Sequence, residues 1–428
     1  MISEKPHISI AFIGPCGTGK SILVNQLLKN LRILKSEKVI EKKEDLLSSV
    51  FEKNYFNYNR RRNNEDTYHV NYTLHQLETD KYRFTFIDTP GSRYYKKNVI
   101  AGIALADYAI LVANACPTQV YSKINFYGSN TFYSLLAHLL GAKQNIACVN
   151  QIDRLTLSSS QSEFENIKLD LTKRLKRIDS SLESILLIPT SGFRNFNLIN
   201  SSPELDWYKG PNLLEALLNL NQPKRNIEKP LRMIVSQIFK VRGSGTIIGG
   251  RIVSGTLRIG QAVTIAPSGV TGIVKSIEIF KENIEVAYAG DLVGLRVTNI
   301  NSSVKKGSVV SDKLNDPARE CESFSAEIYI VSHPFKIRVG YMPVFNIHSA
   351  RLTCRFEALQ RIFDSKTGAV LEENPEYLKS KDSALVVMVP FKPLCVEAYA
   401  DYPKLGRFVV SDLDRVVAVG KIREVLKK

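Results

Sequence analysis

The first half of the chain alternates short apolar runs with amphipathic segments. Ile8 to Ile13, Tyr82 to Asp88, Tyr108 to Val112, Asn145 to Asn150 and Ile185 to Pro189 are brief and apolar, many of them β-branched, which predicts buried strands. Tyr68 to Leu77 reads as a further strand beside Tyr82 to Asp88. Between them, Ser21 to Leu34 carries Leu23, Leu27, Leu28 and Leu31 on one helical face. Thr131 to Leu140 and Leu213 to Leu220 also read as helices, and Ser162 to Ile178 keeps Phe164, Ile167, Leu171, Leu175 and Ile178 in register. Strand–helix alternation predicts an α/β domain with a mostly parallel sheet and helices on both faces. Lys35 to Asp66 departs from the pattern: it is charged and asparagine-rich, and predicts a partly helical insertion.

At Asn221-Gln222-Pro223-Lys224-Arg225-Asn226 the pattern breaks into a polar linker. Beyond it, short β-branched runs are separated by glycines at 243, 245, 249, 255 and 260, which predicts a small all-β barrel. A second break near Asn315-Asp316-Pro317 precedes another stretch of strands from Phe324 to Lys428. The expected organisation is therefore an α/β domain over residues 1–222 and two β-barrels over 228–317 and 321–428.

Composition narrows the class. Across 428 residues, 44% are hydrophobic and 23% charged, which suits a chain that buries a core and excludes wholesale disorder. No apolar stretch reaches the roughly 20 residues of a membrane span, and Met1 to Pro6 lacks a signal-peptide core. The net charge of +16 points to a polyanionic partner such as RNA. The six cysteines are scattered, with no CxxC pair, so a reducing, cytoplasmic setting is expected rather than disulfides or a zinc site.

Candidate chemistry sits at the predicted strand ends. Gly14-Pro15-Cys16-Gly17-Thr18-Gly19-Lys20-Ser21 fits GxxxxGK[ST] between a strand and a helix, the context a phosphate-binding loop requires. Its backbone N–H groups and the helix N-terminus would hold phosphates, Lys20 would reach the β- and γ-phosphates, and Ser21 would ligate Mg²⁺. Asp88-Thr89-Pro90-Gly91 follows a strand: Asp88 suits a second, water-mediated Mg²⁺ contact, and the N–H of Gly91 could meet a γ-phosphate. In Asn150-Gln151-Ile152-Asp153, the Asp153 carboxylate could accept two hydrogen bonds from guanine, which adenine does not offer. Ser191-Gly192-Phe193 could supply a backbone N–H to guanine O6. The motif order and strand-end placement match a nucleotide site at the carboxyl edge of a parallel sheet.

With these motifs, the chain resembles the elongation factor 1-alpha family of translational GTPases, to which bacterial elongation factor Tu also belongs. The resemblance extends through Lys97 to Gly102, Leu139 to Gln144, Trp207 to Gly210, Gly245-Thr246 with Gly249 to Arg251, His333-Pro334, and Tyr402 to Phe408 with Val417 to Gly420. It implies a P-loop GTPase domain and two barrels, GTP or GDP with Mg²⁺ as cofactors, and delivery of aminoacyl-tRNA to the ribosome. A monomer is expected, with room for a nucleotide exchange factor that the sequence does not identify. Glu278 is carried over as a contact for the aminoacylated 3′ end, and Arg407 as a weaker tRNA contact.

The chain also departs from the family pattern. The family places His after DxPG, where it helps position the attacking water; here the residue is Ser92. The family's first switch offers a Thr to Mg²⁺; the aligned run is Thr67-Tyr68-His69-Val70-Asn71, and His69 is a poor ligand for a hard cation. Gly17 replaces an Asp, and Gln151 replaces the Lys of NKxD with the loss of a bracing stem. Gly128 to Thr131 stands near the family's Gly-Gln-Thr-Arg. Three readings follow: a working aminoacyl-tRNA carrier, a pseudo-GTPase that binds guanine nucleotide and hydrolyses it poorly, or a release-factor or rescue-type factor that delivers a protein rather than tRNA.

Overall fold

The computed structural model describes residues 5–36, 71–116, 129–179, 182, 184–241, 245–279, 282–300, 302–364, 367–412 and 415–428. Beyond its first two residues, the charged insertion expected from Lys35 lies outside the described residues, as do His69 and Gly128. The chain divides into two compact units, Met1–Pro223 and Lys224–Lys428.

In the first unit, β1 (His7–Ile13), β2 (Thr73–Glu78), β3 (Arg83–Asp88), β4 (Tyr108–Asn114), β5 (Ile146–Asn150) and β6 (Leu186–Thr190) form one sheet in the order β2-β3-β1-β4-β5-β6. All neighbours pair parallel except β2 with β3, a mixed sheet with one antiparallel edge. Every residue of β1 is buried, so both of its faces are covered, as its unbroken apolar run requires. On one face Ile8, Ile10 and Phe12 pack with Leu23, Val24, Leu27, Leu28 and Leu31 of α1 (Lys20–Ser36). Further helices are α2 (Lys96–Ala104), α3 (Asn130–Leu139), α4 (Leu157–Lys176) and α5 (Leu213–Leu218). Asn212 caps α5 through a reciprocal capping box with Glu215.

Two expected boundaries are corrected. The strand read from Tyr68 is seen from Thr73, with Asn71 and Tyr72 outside it and Tyr72 buried at its entrance; Tyr68 to Val70 lie outside the described residues. Helix α4 starts at Leu157, five residues before the expected Ser162; its first turn is polar and carries no apolar periodicity to mark it.

In the second unit the first barrel contains β7 (Arg232–Val241), β8 (Gly245–Ser254), β9 (Thr256–Arg258), β10 (Ala262–Ala266), β11 (Val270–Ile279), β12 (Glu282–Ile284), β13 (Val286–Tyr288), β14 (Leu292–Val297) and β15 (Val309–Asp312). Its sheet runs β10-β15-β7-β8-β14-β11-β12, and pairing of β10 with β11 closes it. The second barrel contains β16 (Cys321–Ile330), β17 (Val344–Ile347), β18 (Ala350–Phe363), β19 (Val370–Glu373), β20 (Ser383–Pro390), β21 (Arg407–Asp412) and β22 (Arg415–Lys427). It runs β17-β21-β22-β16-β20-β18-β19 and closes through β17 and β18. Each closed ring has six antiparallel strands, and closure removes the exposed edges that an open sheet would present.

The two barrels meet through a buried ionic cluster. Arg232, fully buried at the start of β7, donates from Nε to Glu397 Oε1 at 3.0 Å and from Nη2 to Asp316 at 2.7 Å. Glu397 in turn pairs with Lys427 at 2.7 Å. Tyr402 stacks against the guanidinium at 4.7 Å, and Ile234, Val309, Cys395 and Leu405 pack around it as a shared apolar patch.

Candidate nucleotide site

Between the end of β1 and the start of α1, residues 14–19 wrap the helix N-terminus. Gly14 has φ of +144°, and a Cβ there would lie 2.4 Å from the Val112 carbonyl oxygen, so the loop passes β4 at a distance only glycine permits. Thr18 Oγ1 donates to the Pro15 carbonyl at 3.1 Å and tightens the turn. The Lys20 ammonium is buried and donates to the carbonyls of Gly14 at 2.8 Å and Pro15 at 2.7 Å. Burial pulls its pKa down to about 8, against the opposing pull of Asp88 and Cys16. A cation removed from water and met by two neutral carbonyls at a helix N-terminus is a setting that an anion would stabilise. Ser21, the next residue, lies half-buried in the first turn of α1.

Asp88 closes β3 and is buried, and its Oδ1 has no hydrogen-bond partner. A buried carboxylate oxygen without a donor is costly. A hydrated Mg²⁺ would satisfy it, and Asp88 with Ser21 supplies the hard oxygen donors such an ion takes. Among the described residues no group of three or more His, Cys, Asp or Glu could hold a metal, so an ion here also needs phosphate oxygens. Thr89 is pinned by its hydroxyl, which donates to the Phe12 carbonyl at 2.6 Å. After Pro90, Gly91 lies directly against the phosphate loop: a Cβ there would sit 2.6 Å from both the Cys16 amide nitrogen and Lys20 Nζ. The Gly91 carbonyl accepts a 2.6 Å hydrogen bond from the hydroxyl of Tyr133 on α3. Ser92 caps the short 3-10 turn Arg93–Tyr95, its side chain accepting from the Tyr94 N–H.

The base end is organised by Asn150. Its Nδ2 donates to the Thr18 carbonyl at 2.8 Å, and its Oδ1 accepts from the Gly192 N–H at 3.1 Å and from Thr190 Oγ1 at 3.4 Å. One buried amide therefore ties the phosphate loop to the turn after β6. The Gly192 N–H, a candidate donor to guanine O6, is thus engaged with Asn150 in this structure. Gln151 takes the left-handed conformation, φ 67°, and its Nε2 donates to the Gly17 carbonyl at 2.7 Å. The brace expected to vanish with the family Lys is present as a hydrogen bond, and Arg154 fixes it by donating to Gln151 Oε1 at 3.0 Å. Asp153 sits half-buried in the following 3-10 turn, Ile152–Arg154. Ser191 Oγ accepts from the Arg194 N–H at 2.9 Å, and Phe193 is 78% exposed.

The structure thus gathers the phosphate loop, Asp88 to Ser92, Asn150 to Asp153 and Ser191 to Phe193 at the carboxyl ends of β1, β3, β5 and β6. Sequence reasoning missed Tyr133, which stands 42 residues from its partner Gly91 and carries no local motif.

Comparison with known proteins decides the family. Profiles described as the elongation factor Tu GTP binding domain, elongation factor Tu domain 2 and GTP-eEF1A C-terminal domain-like match residues 5–223, 245–311 and 323–423. Elongation factor 1-alpha of Tetrahymena pyriformis is 37% identical over 431 residues, covering 99% of both chains. That of Entamoeba histolytica is 39% identical over 432 residues, covering 99% of this chain and 97% of its own. The chain belongs to the elongation factor 1-alpha family. Solved structures share the fold at 18% identity. The Saccharomyces cerevisiae Ski7 GTPase-like domain, bound to GTP, has a TM-score of 0.74 over 98% of this chain and 97% of its own. Elongation factor SelB of Methanococcus maripaludis has 0.71 over 99% and 80%.

Within this elongation factor 1-alpha family member, Glu278 lies half-buried on β11, paired in register with Asn283 and Gly294. Arg407 opens β21; its guanidinium donates to the Tyr399 hydroxyl at 2.7 Å and lies 4.9 Å over that ring, a structural tie within the second barrel. No helix among the described residues is long and apolar enough to cross a membrane.

Proposed function

We propose that this chain binds GTP and GDP with Mg²⁺ at the loop around Lys20 and carries aminoacyl-tRNA to the ribosomal A site. One observation carries the nucleotide part: the buried Lys20 ammonium and the partnerless Asp88 Oδ1 are opposite charges that a phosphate–Mg²⁺ pair would satisfy together. Family membership across the full chain and a net charge of +16 support the tRNA part, because phosphate contacts dominate nucleic-acid affinity. Fluorescent GDP titration tests the first part, with saturable, Mg²⁺-strengthened binding as the expected result. Protection of the aminoacyl ester from hydrolysis by the GTP-bound protein tests the second. No protection at micromolar protein overturns the carrier role.

A second reading, slow hydrolysis, is favoured by Ser92. Its side chain is spent on capping the turn at Tyr94 and offers no imidazole to orient water. Ribosome-stimulated hydrolysis is the measurement: Ser92→His is expected to raise turnover by about 10²-fold or more, the usual worth of a placed acid–base group. Wild-type turnover equal to that of an authentic elongation factor overturns this reading.

A further inference from the structure

The hydrogen bond between Tyr133 and Gly91 bears on which nucleotide the site accepts. A Cβ on Gly91 would fall 2.6 Å from both the Cys16 amide nitrogen and Lys20 Nζ, so the Gly91 backbone lies close beside these two donors, within a bond length of the point where one oxygen could meet both. A terminal phosphoryl oxygen needs those same donors at about 2.7–2.9 Å, with the phosphorus just beyond. Gly91 in this position and a γ-phosphate therefore exclude each other. A diphosphate shares Lys20 Nζ with that space but is held further along by the amides at the N-terminus of α1 and makes no claim on the Cys16 N–H, so it meets the smaller conflict.

What keeps Gly91 there is specific. The Tyr133 side chain is fully buried, packed edge-on against Phe132 at 5.6 Å, and its hydroxyl bonds the Gly91 carbonyl at 2.6 Å. Burial also raises the phenol's pKa above its ordinary value, so at neutral pH the hydroxyl is protonated and donates. On the other side, Ser92 starts the capped 3-10 turn, and the Tyr95 N–H donates to the Ser92 carbonyl at 3.1 Å. The peptide after Pro90 is thus held from both directions.

We propose that Tyr133 is a positioning residue that latches Gly91 over the phosphate loop and biases the site toward GDP. Entry of the γ-phosphate breaks the latch, so the triphosphate binds at the cost of that hydrogen bond. The inference rests on the nucleotide-site reading above.

The test titrates the full-length chain and Tyr133→Phe with fluorescent GDP and with a non-hydrolysable GTP analogue. The variant loses one hydroxyl and keeps the ring. The Kd for GDP is expected to stay within about twofold of wild type, and the Kd for the analogue to fall about three- to tenfold, the worth of one hydrogen bond. An unchanged ratio of the two constants overturns the latch while leaving the nucleotide site standing. Failure of wild type to bind GDP overturns the site, and the latch with it. Amide hydrogen exchange on wild type is the independent check should the variant fold poorly. The amides of residues 94–95 should exchange faster with the analogue than with GDP, and equal rates overturn the proposal.

Discussion

Replacing Asn150 should show whether one buried amide holds the nucleotide site together. Asn150→Ala removes three hydrogen bonds, to the Thr18 carbonyl, the Gly192 N–H and Thr190 Oγ1. At about 1 kcal/mol each, the loss is about 3 kcal/mol. Asn150→Asp keeps both acceptor bonds but turns a carboxylate oxygen toward the Thr18 carbonyl, where Nδ2 now donates at 2.8 Å. The carboxylate is buried and sets an oxygen against a carbonyl, so Asp should cost more than Ala at neutral pH despite its closer shape. Acid should narrow the gap, because protonation of that carboxyl restores a donor. The assay is built into the chain. Trp207 is the one tryptophan and packs on Phe164 at 5.3 Å within the first unit, so its fluorescence follows unfolding of this unit apart from the barrels. For about 220 residues, 3 kcal/mol corresponds to a drop in Tm of about 6–12 °C. Both variants should also bind GDP more weakly, since the two loops lose their common anchor. An Ala variant within about 1 kcal/mol of wild type, or an Asp variant more stable than Ala at pH 7, would refute the reasoning.

Other perturbations have defined outcomes. Lys20→Met should weaken GDP binding by about 100-fold, the loss of a charge-assisted bond, without lowering the Tm of the empty protein, because the desolvated charge goes with it; titration and Trp207 melting read the two. Glu397→Ala leaves Arg232 buried with Asp316 as its remaining anion, and should cost about 3 kcal/mol in chemical denaturation of the barrels. His348, buried with Nε2 donating to the Cys395 carbonyl at 3.1 Å, has its pKa pushed from 6.5 to about 4 by desolvation. The unfolded chain therefore takes up a proton first as pH falls, so stability is full above about pH 6.5 and declines toward pH 4, by about 3 kcal/mol in all. His348→Asn, a residue suited to the φ of 42° at that position, should flatten the acid limb of the stability curve.

Much of this architecture is legible in the amino-acid order. Buried parallel strands are continuous apolar runs, and a phosphate loop needs its glycines and Lys20 in a fixed local spacing, so both leave marks along the chain. Contacts made across the sheet leave none. Tyr133 meets Gly91, and Gln151 meets Gly17, only because strand order brings them together. The start of α4 is hidden because Leu157 to Gln161 is almost wholly polar, and its helicity comes from the turns that follow. Ser92 was readable as a departure from a pattern, but its use as a cap depends on the turn it begins. The Arg232 cluster was invisible for the same reason: its members lie 84 and 165 residues apart.

That cluster has a mechanical consequence. Arg232 reaches from the first strand of one barrel to Glu397 of the other, and Lys427 near the chain's end grips the same carboxylate. A protease that nicked the peptide near Pro317 would leave two fragments still clasped by this seam. They should co-elute on a sizing column and come apart in a single step, so the tandem melts as one block.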